Sequence, residues 1–120
     1  MALKITTREV DGVTVLELDG RIVLGEETNT LRETVKSLLA QGKKKIVLDL
    51  KNVSMIDSSG LGTLVAIHSS AKTKGATLRL CNLSSRTDEL LQMTRLVTVF
   101  EVSDTVEDAV RAMSKAASAS

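Results

Sequence analysis

Aromatic residues are almost absent from these 120 positions, which hold one Phe and neither Trp nor Tyr. The stacking platforms on which single-stranded nucleic acid is held are therefore missing. Charge of one sign is missing too, because sixteen Lys and Arg face fifteen Asp and Glu, and no basic field is left to displace counterions from a duplex. The one local cluster, Lys43-Lys44-Lys45, lies between a helix and a strand and reads as a solvated turn. No nucleic acid is expected as a partner. A single Cys81 cannot close an internal disulfide, and no basic-then-apolar leader opens the chain, so a reducing cytoplasm is the expected compartment. No apolar run approaches the roughly 20 residues that span a bilayer, so direct membrane insertion is not expected. One His and one Cys make no zinc set, and neither a metal nor a cofactor is expected.

What is present is an apolar fraction of 42% arranged with regular periods, enough for one globular domain over residues 1–120 with a core that needs no staples. Leu3 to Val10 and Val13 to Asp19 read as strands around Asp11-Gly12, a dipeptide suited to a tight hairpin turn. Glu26-Glu27 then open a helix carrying Leu31, Val35, Leu38 and Leu39 at helical spacing, with Gly42 as its C-terminal cap. KIVLDL at 45–50 is nearly all apolar, as a central strand covered on both faces should be. A second helix is expected from Leu61 to about Gly75, a strand over Ala76 to Cys81, and a helix from Ser84-Ser85 carrying Leu90 and Leu91. A last strand is expected over Val97 to Val102. Asp104 and Glu107 have capping-box spacing ahead of a final helix bearing Val106, Ala109, Val110 and Met113. The order β-β-α-β-α-β-α-β-α predicts an α/β fold, one mixed sheet of about five strands packed with about four helices. The small polar end, 114–120, is expected to fray.

Between the central strand and the second helix stands SMIDSSGLG, residues 54–62. Asp57 or Ser58 can cap the helix by accepting a hydrogen bond from a free backbone N–H. The glycines are harder to account for: Gly60 and Gly62 each cost a helix about 0.8–1.0 kcal/mol against Ala, together more than one cap contributes. Close packing on the sheet, a phosphate cradle and an approaching partner all remain open as reasons. A dinucleotide fingerprint would need a third glycine at position 65, which is Val, and a tight strand-to-helix turn that Lys51 to Ile56 does not supply. No Gly-Lys-Ser or Gly-Lys-Thr follows to make a P-loop. Ser58 as a hydrolytic nucleophile would want Gly at 56, where Ile stands, and the only His, His68, lies roughly 15 Å along the same helix. His68 reads as a packing residue with a polar tip. No catalytic set is present. A serine displayed at a helix start can instead accept a phosphoryl group from another enzyme; the added charge of about −1.5 to −2 suits the helix dipole, yet opposes an interface pressed on that spot.

The Asp11-Gly12 hairpin, Leu18-Asp19-Gly20, KIVLDL at 45–50, MIDSSGLG at 55–62 and ATLRLCNLS at 76–84 together resemble a STAS domain, in particular the stand-alone bacterial anti-sigma factor antagonists. The resemblance covers nearly the whole chain. It implies partner switching: the dephosphorylated antagonist binds an anti-sigma factor serine kinase and frees a sigma factor, the kinase uses its own bound ATP to phosphorylate the antagonist, and a serine phosphatase resets the cycle. It implies Ser58 as the acceptor, with Ser59 the less favoured neighbour, and Asp57, Ser59, Gly60, Leu61 and Gly62 at the docking surface. The loop after the second strand, Gly20-Arg21-Ile22-Val23, is implied as a further contact. Many antagonists carry acidic residues after that glycine and near position 23, where this chain has Arg21 and Val23, and such rim charges govern partner choice. An alternative within the same resemblance is a scaffold or regulatory piece of a stress-signalling or transport complex without a working phospho-switch.

Overall fold

The computed structural model describes residues 3–119, and side chains over 3–113. Strands β1 (Lys4–Val10), β2 (Val13–Ile22), β3 (Lys45–Ile56), β4 (Thr77–Cys81) and β5 (Glu101–Ser103) form one sheet in the order β1-β2-β3-β4-β5. The β1–β2 hairpin is antiparallel and every later pairing is parallel. Helices α1 (Glu26–Ala40), α2 (Ser58–Thr73), α3 (Ser85–Met93) and α4 (Val106–Ala119) follow β2, β3, β4 and β5 in turn. This is the mixed five-stranded, four-helix architecture that the element order predicts.

Because the parallel strands are added in one direction, right-handed crossovers lay successive helices on the same face. Leu31 and Val35 of α1, Leu64 and Ile67 of α2 and Leu91 of α3 accordingly share a core with Leu16, Leu18, Ile46, Leu48, Leu78 and Leu80 of the sheet. Among the described residues the opposite face has α4 alone, whose Val106, Ala109, Val110 and Met113 cover Val13, Val15, Val47 and Cys81. At the end of α1, Gly42 takes φ +85° while its N–H and that of Lys43 donate to the carbonyls of Leu39 and Leu38, a Schellman closure. No helix among the described residues is long and apolar enough to cross a membrane.

Several boundaries differ from the sequence expectation. β2 continues to Ile22, so Gly20, Arg21 and Ile22 are strand residues paired with Val53, Met55 and Ile56, not a loop. β3 runs six residues past Leu50, and only Asp57 separates it from α2, which starts at Ser58 rather than Leu61. The strand-to-helix joint is therefore tight, contrary to one of the two grounds on which a dinucleotide site was set aside; the other, Val65 in place of a third glycine, stands. The expected strand over Val97–Val102 is mostly a single 3-10 turn, Leu96–Thr98, and a core contact by Phe100. Pairing is left to Glu101–Ser103. The cap of α4 is Thr105, whose Oγ1 accepts from the Asp108 N–H at 3.1 Å, one residue later than the Asp104–Glu107 spacing suggests. The α4 backbone is helical to Ala119, and the side chains of the end expected to fray, 114–120, lie outside the described residues.

Candidate functional site

β4 stops where Cys81 pairs Asp49, so β3 overhangs its neighbour on that side by the seven residues from Leu50 to Ile56. The overhang is about 20 Å long and carries the start of α2 at its tip. Asp57, with extended backbone at φ −97°, ends the strand and caps the helix. Its Oδ1 accepts the Gly60 N–H at 2.7 Å, and its Oδ2 accepts the Leu24 N–H at 3.0 Å, from the segment leaving β2. One side chain thus ties the ends of β2 and β3 to the first turn of α2. These two N–H groups, Leu24 first and then Gly60, hold the Asp57 carboxyl below its ordinary 3.8, with burial opposing.

The two glycines of the first turns have different causes. A β-carbon built on Gly60 would overlap the backbone carbonyl of Ile22, the same carbonyl that accepts the Asp57 N–H at 3.4 Å. Gly60 is there so that helix and strand can touch. Its N–H is already donated to Asp57 Oδ1, which leaves it no free donor for a phosphate cradle. Gly62 has open space where a side chain would stand. It lies one turn below Ser58 on the same helix face.

Ser58 is exposed and Ser59 is half-buried. One turn below Ser59, buried Thr63 donates from its Oγ1 to the Ser59 carbonyl at 2.9 Å and receives a long 3.5 Å contact from Arg32 of α1. Ser59 therefore turns toward α1, and Ser58 is the freer hydroxyl. Ile22 at 0% exposure and Leu61 at 6% belong to the core, and Gly60 is covered by β2. These three support the surface from beneath, a correction to their expected place in direct contact with a partner. Arg21, Val23 and Asp57 are half-buried at the rim, and Arg21 makes no ion pair among the described residues. His68 packs edge-on to Phe100 with ring centroids 5.4 Å apart, consistent with a packing role. No group of three or more His, Cys, Asp or Glu is arranged to hold a metal among the described residues.

Two residues of this end escaped the sequence reading. Leu24 is 75% exposed beside the Asp57 tether. Its signal was present: an apolar residue outside both flanking periodic patterns, just ahead of Gly25. Met55 is 47% exposed although Val53, two positions earlier, is buried. The register explains this, because Gly20 pairs Val53 and Arg21 pairs Met55, so Ser54 is an inserted residue that turns Met55 to the other face.

The described geometry has close counterparts. Residues 4–109 match the STAS domain family model. The anti-sigma-B factor antagonist of Bacillus subtilis is 37% identical over 81 residues, 68% of this chain and 73% of its own length. The anti-sigma F factor antagonist of Paenibacillus polymyxa is 26% identical over 104 residues, 87% of this chain and 89% of its own. A Thermotoga maritima protein assigned as an anti-sigma factor antagonist superposes with a TM-score of 0.82 at 27% identity, covering 89% of this chain and 92% of its own. The relatives are named for regulating other proteins, not for a reaction of their own. With the single five-stranded mixed sheet, the antiparallel hairpin at its edge and a family match across most of its length, the chain belongs to the STAS domain family.

Proposed function

We propose that this chain is an anti-sigma factor antagonist: unphosphorylated, it binds an anti-sigma serine kinase and thereby frees a sigma factor, and phosphorylation at Ser58 ends that binding. The observation that carries the reading is the placement of Ser58, exposed at the first position of α2 directly after its Asp57 cap, above the open space at Gly62. The kinase supplies both ATP and the base that takes the Ser58 proton; Oγ bonds to the γ-phosphorus and ADP leaves. A serine phosphatase removes the group. The dianion is tolerated by the helix N-terminus and leaves the fold intact. Against a docked partner it places added charge beside the Asp57 carboxylate, and a loss of about 2.7 kcal/mol weakens binding a hundredfold. Arg21 on the rim suits a kinase that presents an acidic residue there.

The test begins with capture of the partner ATPase from cell extract, with and without ATP, followed by work with the purified pair. One phosphate on Ser58 by mass spectrometry, none on Ser58→Ala, and a loss of affinity of about a hundredfold for Ser58→Asp are expected. Normal phosphate uptake by Ser58→Ala would sink the acceptor assignment. Unchanged kinase affinity in Ser58→Asp would favour a scaffold without a phospho-switch.

A further inference from the structure

Beyond Asp49, the edge of β3 that faced β4 has no strand partner among the described residues. The Asp57 N–H reaches back to β2, so by the alternation of a strand the amide and carbonyl of Ile56 point to the opposite, vacant side. That vacant edge forms one wall of a trough of about 590 Å³, and α3 forms the other. Val53, Met55 and Ile56 line it from the strand, and Thr87, Leu90 and Met93 from the helix. Met93 is 76% exposed, so it and Leu90 flank the outward-facing backbone of Ile56, with Arg86 and Glu89 also in the lining. A free strand edge specifies its ligand more narrowly than an apolar hollow does. What satisfies it is another extended backbone.

We infer that this trough receives an extended segment of the anti-sigma factor, added to β3 as a further strand, with an apolar side chain set between Ile56 and Met93. The inference rests on the antagonist reading above and names where the remainder of that interface lies. A stable interface of ordinary size covers about 800 Å² and 20–30 residues on each side. The accessible tip offers Arg21, Val23, Leu24, Ser58, Ser59 and Gly62, far too few. The trough continues that tip without a break, since Ile56 is joined to Ser58 through Asp57 alone. The flexible thioether of Met93 adapts to whatever side chain the added strand presents.

The experiment uses the full chain and the purified anti-sigma factor identified by the capture above. Met93→Glu, on an exposed position that leaves the core untouched, is expected to weaken binding at least tenfold by calorimetry, and amide exchange at residues 53–56 is expected to slow in the wild-type complex. If Met93→Glu binds within twofold of wild type and those amides exchange unchanged while Ser58→Asp still disrupts binding, the trough assignment is overturned and the antagonist reading stands. If Ser58→Asp binds as tightly as wild type, the antagonist reading fails and the trough assignment falls with it. Slowed exchange at 53–56 in the chain alone, growing with its concentration, would make the occupant a second copy and equally overturn the assignment.

Discussion

The α-carbon of Gly60 is pressed against the carbonyl of Ile22, so that the first turn of α2 and the last residue of β2 meet backbone to backbone. Since Ile22 is fully buried and its carbonyl also accepts the Asp57 N–H, neither side can yield freely. Gly60→Ala is therefore expected to destabilise the fold by about 1–3 kcal/mol, although alanine is the better helix former. Chemical denaturation of the two proteins measures it, and an unchanged or higher midpoint in the variant would disprove the close contact.

Gly62→Ala has the opposite expectation. The added methyl meets open space, so helix propensity alone acts and stability rises by up to about 1 kcal/mol. Binding to the proposed kinase should fall at the same time, because on that reading the methyl would stand where the partner approaches Ser58. Denaturation and affinity measured on the same preparation separate the two effects. A variant both more stable and equally well bound would remove Gly62 from the docking surface.

Asp57 links the site to pH. Its folded carboxyl titrates below the ordinary 3.8, so its contribution to stability is present above the unfolded value and disappears as the pH falls through the folded one. Wild type should thus lose stability on acidification below about pH 4, while Asp57→Asn, lacking the charge, should show a flatter acid limb. Denaturation midpoints from pH 6 down to 2.5 at fixed salt make the comparison. Parallel curves would show that the Leu24 and Gly60 N–H groups do not favour the ionised form.

Cys81 reports on the other side of the sheet. Burial first, and then the carboxylates of Asp49 and Glu107, push its thiol up to about 12. At pH 8 the folded protein should resist iodoacetamide, and labelling should appear only as denaturant opens the chain. Rapid alkylation under native conditions would contradict the cover that α4 gives to Val47 and Cys81.

Where the hydrophobic period runs unbroken, the fold is legible in the sequence: the Asp11-Gly12 hairpin, α1 with its Gly42 closure, and the KIVLDL core of β3. Legibility failed where tertiary contact overrode the period. Past Leu50, β3 has an exposed face and an inserted Ser54, so its alternation is lost and the strand looked finished. Val97 to Val102 looked like a strand because it is largely apolar, yet the turn at Leu96–Thr98 delivers Phe100 to the core. Asp104 and Thr105 are both competent caps, and only the helix geometry chooses Thr105. Ser58 could be singled out from sequence, but Gly60 and Gly62 could not be told apart, because one of them answers to a carbonyl more than thirty residues away.

The one-residue joint at Asp57 leaves no slack between strand and helix, and both carboxylate oxygens are already engaged. On the proposed reading, a phosphoryl group added at Ser58 would be held on a stiff mount. It would change the chemistry of the tip without relocating it, so that the message would be local and need no refolding step before it is delivered. The time taken to switch partners would then be set by transfer chemistry and by the departure of the bound protein, with no slow rearrangement of this chain in between.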